Sequence, residues 1–158
     1  MTTEISEVQT TLALVEVVQE HFSHGAKILP AKFIAPINGL TDLFKKIKSL
    51  KKLPPDCIGL TSDNKLIFSG RLLFELKATH GFPLDFALDK IINDNNMAVD
   101  WVEFIETARA NKWWDFQTHE VLTHALIDAQ VDKELKDQIL LRFQLYVLQN
   151  KHPNQSGN

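Results

Sequence analysis

The chain is short of nearly everything that would announce a catalytic or metal-bearing protein. It holds one cysteine, Cys57, in 158 residues. That excludes an internal disulfide and any multi-thiolate metal site, and it fits a reducing compartment. Glycine is sparse too, with 6 in all, and none of them builds a phosphate-cradling loop. Gly-x-Ser-x-Gly and His-Glu-x-x-His are both missing. No apolar run approaches the roughly 20 residues that a bilayer span requires, so no membrane partner is expected. The opening MTTEISEVQTTLALVEVVQEHF carries acids where a secretory signal has an early basic segment, which makes the cytoplasm the expected location. Net charge is -3, which gives no global attraction to nucleic acid but leaves room for a local patch.

What is present is ordinary globular stock. Apolar residues make up 44% and charged residues 23%, enough for one domain with a real core. From Ile5 to Phe22 the apolar positions Ile5, Val8, Leu12, Val15 and Phe22 form one helical stripe that Gly25 can stop. KILPAKFIAPING (27–39) is apolar but broken by Pro30 and Pro36, and reads as a connector laid across the core. Leu40–Lys52 returns to helical spacing. CIGLTSDNKLIFSG (57–70) is the one strand-like stretch, with Ser62, Asp63 and Asn64 as the turn of a small hairpin.

Helical runs follow over Arg71–His80, Leu84–Asn93, Trp101–Trp113, one starting at Thr118, and Lys133–Asn150. Asp100 and Glu103 have capping-box spacing, Asp132 is an N-cap, and Lys133 with Asp137 makes an i,i+4 pair. The expected fold is all-α, a compact domain of about seven helices over residues 1–150 with one short β-hairpin near 57–68. The polar KHPNQSGN (151–158) is expected to be a flexible tail.

The stretch SGRLLFELKATHGFPLD ends an amphipathic run at Gly81 and starts another at Pro83. Gly70, Phe74, Leu76, Thr79, Gly81, Phe82, Pro83 and Asp85, then Val99, Asp100 and Phe104, keep the order and spacing of a pattern in alanyl-tRNA synthetases. Residues 70–113 thus resemble part of that family's helical tRNA-recognition region. His80 stands where the family has Tyr, Ala78 where it usually has Asp, and the catalytic and editing motifs have no counterpart here. The resemblance implies a helical fold fragment and an RNA-binding ancestry, with no aminoacylation. The residues also have a plain structural meaning. Gly81 supplies a left-handed stop, Phe82 folds back on the preceding helix, and Pro83 opens the next.

Two surfaces are candidates for function. Lys45, Lys46, Lys48, Lys51 and Lys52 stand against Asp42 alone within thirteen residues. This is either a solvated helix face or a backbone-phosphate contact, and it lacks arginine and interleaved aromatics for base readout. Asn-Lys-Trp-Trp-Asp-Phe puts Trp113 and Trp114 side by side, where they form either a buried corner or a partner surface. The histidines offer no ligand set, since His119 and His124 are five apart, and Cys57 has no base beside it.

The functional expectation is a non-enzymatic binding module with no cofactor, metal or catalytic residue. It would bind tRNA or other structured RNA through the lysine face and the elbow cations Arg71, Lys77 and Lys90. The alternative is a protein-interaction or regulatory adaptor docking through Trp113 and Trp114, or a structural subunit of a larger assembly. The oligomeric state is open.

Overall fold

A computed structural model describes residues 57–60 and 65–151, together with the backbone of Lys27 and Ile28. The expected helices at Ile5–Phe22 and Leu40–Lys52 lie outside the described residues, as does the hairpin turn at 61–64. Among the described residues the elements run β1 (Lys27–Ile28), β2 (Ile58–Leu60), β3 (Leu66–Phe68), α1 (Gly70–Ala78), α2 (Leu84–Leu88), β4 (Ala98–Val99), α3 (Trp101–Ala110), α4 (Asp115–Asp128) and α5 (Lys133–Gln149). A π-helical turn, Asp89–Asp94, continues α2.

The all-α expectation is therefore corrected to a mostly helical protein with a small mixed sheet. The five helical runs expected in this region are present. Strand order is β1-β2-β3-β4. The hairpin read at 57–68 is an antiparallel pair with Ile58 opposite Phe68 and Leu60 opposite Leu66. It does not stand alone. β1 pairs on one side, and β4 pairs in parallel on the other, Phe68 opposite Val99. Parallel pairing needs a crossover, and α1, α2 and the π-turn supply it. One core follows from this, with Phe68, Leu73, Leu76, Leu88, Ile91, Phe104, Ile105 and Phe143 all buried. Phe74 meets Phe104 edge-on at 5.9 Å and Trp113 edge-on at 5.0 Å.

The first turns of α1 and α3 are locked together. Buried Ser69 caps α1, its Oγ accepting from Leu72 N–H at 3.1 Å. Buried Asp100 caps α3, accepting from Glu103 N–H at 3.1 Å. In a capping box the Glu103 carboxylate would return to its own cap. Here it crosses to α1, accepting from Ser69 Oγ–H at 2.7 Å and from Arg71 N–H at 3.0 Å. The Asp100 N–H is left to the sheet and donates to Phe68 O at 3.0 Å. A carboxylate at a helix N-terminus is favourable by charge and by the donors it satisfies. Only glycine fits between these two turns. A Cβ at Gly70 would lie 2.0 Å from Asp100 O and 2.4 Å from Phe104 N.

All but the last of the described helical segments end the same way, on one residue in the left-handed region: Gly81 (φ 65), Asn96 (φ 48), Lys112 (φ 65) and Gln130 (φ 56). The next residue then donates its N–H back into the helix just finished. Phe82 donates to Leu76 O, Met97 to Ile91 O, Trp113 to Ala108 O and Val131 to Leu126 O, all at 2.7–3.1 Å. Each of these four residues is apolar and packs on or within the core. The wrapped end thus satisfies an orphan carbonyl and brings in a hydrophobe together.

Candidate functional site

The corner between α3 and α4 carries two large aromatic side chains that are exposed, Trp114 and Phe116. Lys112 turns the chain, Trp113 folds back onto Phe74, and α4 starts at Asp115 rather than at the expected Thr118. Thr118 is instead buried one turn in, its hydroxyl donating to Trp114 O at 3.1 Å. The two tryptophans separate accordingly. Trp113 is half-buried against the core, whereas Trp114 is 52% exposed and Phe116, two residues on, is 76% exposed.

This exposure sits on a fixed base. Buried Arg109, in the last turn of α3, grips buried Asp115 with a two-pronged fork, Nε to Oδ1 and Nη2 to Oδ2, each at 2.9 Å. Its Nη1 reaches Glu106 Oε2 at 3.3 Å. Tyr146 of α5 donates its hydroxyl to the same Glu106 oxygen, and the Arg109 guanidinium lies 5.8 Å from the centre of the Tyr146 ring. Asp115 bonding holds the Arg109 pKa above its already high ordinary value, against the opposing effect of burial. Burial, then the hydrogen bond to Glu106, pushes Tyr146 up to about 12. The network ties α3, α4 and α5 at the residues flanking Trp114. Planar two-point pairing of this kind fixes orientation as well as charge.

The elbow expected from the sequence is formed. Gly81 is left-handed, Phe82 packs on the core and lies 6.4 Å from the exposed ring of Phe86, and Thr79 N–H closes α1 on Glu75 O at 2.8 Å. Pro83 stands at the cap position of α2, one place before the first turn where it was expected, and Asp85 occupies that first turn. Between the elbow and α4 runs a groove of about 460 Å³, where Lys77, Leu84 and Asp85 face Val121, His124 and Asp128. Glu120 also lines it and lies 3.7 Å from His124 Nε2. With three carboxylates around it, the groove gives Lys77 no positive field to share.

The other expected RNA contacts that are described, Arg71 and Lys90, are ion-paired. Arg71 pairs with Glu75 at 2.9 Å and Lys90 with Asp94 at 2.9 Å, each within its own helical segment. Lys45, Lys46, Lys48, Lys51 and Lys52 lie outside the described residues. From Lys65 to Lys151 ten Lys and Arg stand against thirteen Asp and Glu. Sequence reasoning groups Phe116 with the two tryptophans but leaves it out of the candidate partner surface, and it misses the Arg109–Asp115 pair, whose six-residue separation matches no helical pairing rule. Among the described residues no three of His, Cys, Asp and Glu converge as metal ligands, and no helix is long and apolar enough to cross a membrane. No family model matches the chain, and neither a curated protein nor a solved structure matches it.

Proposed function

We propose that this protein is a protein-binding module that presents Trp114 and Phe116 to a partner. The carrying observation is two large aromatic rings, mostly in water, on a corner pinned by a buried Arg109–Asp115 fork. Exposed aromatics are the residues that anchor interfaces, and a rigid base lowers the ordering cost of using them. The test is affinity capture from the source cell extract with the full chain and with a Trp114→Ala/Phe116→Ala variant of unchanged circular dichroism. A partner lost with the two rings, and retained when the five lysines of 45–52 are replaced, supports the reading. A partner set indifferent to the two rings refutes it.

A second reading is RNA binding, favoured by the lysine run at 45–52 and by the likeness of residues 70–113 to a tRNA-recognition region. The mechanism would be phosphate attraction with a steep salt dependence. The ion pairing of Arg71 and Lys90 and the acidic groove around Lys77 leave it resting on Lys45, Lys46, Lys48, Lys51 and Lys52. Its check is an electrophoretic shift with bulk tRNA at low salt. Absence of any shift near ~100 μM protein, where loose non-specific binding is already visible, would dispose of it.

A further inference from the structure

Helix α5 is two-faced in an unusual sense: both faces are apolar. Its inner side carries Ile139 and Phe143, buried, with Leu135, Leu140, Tyr146 and Val147 packed beside them. Directly opposite, Leu141, Leu145 and Leu148 are 55%, 46% and 67% exposed. Their spacing of four then three is the alternation of a coiled-coil seam, and Glu134 and Gln138 extend the same line toward the N-terminus, also exposed. The charge pattern changes along the helix in step. Asp132 to Asp137 is charged at every position but Leu135, whereas from Gln138 to Asn150 the one charged residue is Arg142. Depletion of charge around an apolar ridge is the composition of an interface centre rather than of a solvated helix face.

We infer that α5 pairs with α5 of a second copy of this chain, antiparallel, through Leu141, Leu145 and Leu148. Three features select a second copy as the occupant. A line with 4-3 spacing is complementary to itself under a two-fold axis, the symmetry of a closed dimer. With that axis between Leu141 and Leu145, each of these leucines stacks on the other in the second copy, and Leu148 covers Gln138. The same pairing brings Glu134 of one copy to the helix end where Lys151 of the other lies, opposite charges at the two ends of the seam. A helix of this length is about 26 Å long and about 10 Å wide, so pairing along it buries on the order of 1,000 Å² in total. That is the lower edge of a specific interface, and the dimer is accordingly weak, with a dissociation constant in the micromolar range. This face lies on α5, apart from the Trp114–Phe116 corner, and the inference stands without that corner's function.

Sedimentation equilibrium of the full chain from about 10 μM to 1 mM reads the result, against a chain mass of 18.0 kDa. The mass is expected to rise toward twice that value with concentration. Leu145→Asp should hold it at one chain, with helicity unchanged, because Leu145 touches water in the single copy. Gln138→Leu should tighten the dimer by about tenfold, since it replaces a polar layer opposite Leu148 with an apolar one. A chain that stays single throughout overturns the inference. If Leu145→Asp then lowers the melting temperature, the face is covered by the chain's own amphipathic Ile5–Phe22; if not, it serves another protein. A dimer that survives Leu145→Asp also overturns it, because it forms elsewhere.

Discussion

Gly70→Ala offers the sharpest test of the fold because two principles assign it opposite signs. Helix propensity favours Ala over Gly by about 1 kcal/mol, so an α1 judged in isolation should be stabilised. The packing says otherwise. The new methyl would sit 2.0 Å from Asp100 O and 2.4 Å from Phe104 N, both backbone atoms that no rotamer change can move. Ordinary contact with such atoms lies more than 1 Å further out, so the first turns of α1 and α3 would have to part by that much. Separation stretches the Ser69–Glu103 and Arg71–Glu103 hydrogen bonds, at 2.7 and 3.0 Å, and the Asp100–Phe68 bond that joins α3 to the sheet.

Overpacking costs about 1–3 kcal/mol, and the weakened caps add about 1 kcal/mol or more. After the propensity gain, the net loss is about 1–3 kcal/mol. For a chain of this size that is a fall in melting temperature of about 2–12 °C. Thermal unfolding followed by far-ultraviolet circular dichroism measures it, with the urea midpoint as a check on constant m. Gly81→Ala is the control. Nothing lies within 4 Å of a Cβ there, so the φ of 65° alone is felt, at about 1 kcal/mol. A Gly70→Ala protein as stable as the parent, or one less affected than Gly81→Ala, would refute the close-approach argument.

Lys112→Gly and Gln130→Gly relieve non-glycine residues held in the left-handed region, and each should raise stability by about 0.5–1 kcal/mol in urea unfolding. Arg109→Met strands the buried Asp115 carboxylate, so it should cost about 3–5 kcal/mol and shift tryptophan emission as the Trp113–Trp114 corner loosens. The Tyr146 hydroxyl, pushed up to about 12 in the folded chain, holds its proton more tightly folded than unfolded, where tyrosine titrates near ~10. Its contribution is therefore whole below pH ~10 and lost as pH climbs from there to about 12. The stability advantage of the parent over Tyr146→Phe should be constant below pH ~10 and shrink from there to about 12, and absorbance at the phenolate band should show no tyrosinate forming below pH ~10 while the chain is folded.

The sequence spoke clearly wherever the controlling interaction is local. Ser62–Asp63–Asn64 between apolar runs announced the β2–β3 pair, Asp132 announced the start of α5, and Gly81 with Pro83 announced the elbow. It was silent where a partner sits far along the chain. β4 is two residues, Ala98 and Val99, too short to show a period, and its pairing with β3 depends on a crossover. β1 lies in a proline-broken run that read as connector. The turn after α2 read as plain helix to Asn93. It is π-helical where Asn93 reaches Asp89 and Ala129 O, each at 2.8 Å, and Asn95 reaches Lys90 O at 2.7 Å. The capping box was legible at Asp100 but not the destination of Glu103, because a carboxylate chooses the nearest unsatisfied donors and α1 supplied them. For the candidate site, the adjacent tryptophans were visible. Which of them would face water was fixed by Phe74, thirty-nine residues earlier, taking Trp113.

That division of the two tryptophans bears on what the corner is for. α3 is tied to its neighbours at both ends, to α1 through Gly70 and Glu103 and to α4 and α5 through Arg109 and Glu106. With α3 held at both ends and Asp115 gripped by Arg109, the start of α4 cannot easily turn to hide its side chains, so Trp114 and Phe116 stay in water at a cost in hydrophobic free energy. Relaxed alternatives are simple to name. A small polar residue at 114 would leave the Arg109–Asp115 fork and the Trp113–Phe74 contact untouched. Two large rings kept outside a rigid corner suit the binding surface proposed above, which gains from them on both counts. The rings supply buried area on contact, and their fixed base removes much of the ordering entropy that a mobile loop would lose. Trp114→Ser with Phe116→Ser should accordingly leave stability unchanged within about 0.5 kcal/mol. A clear loss of stability would mean that the rings serve the fold after all.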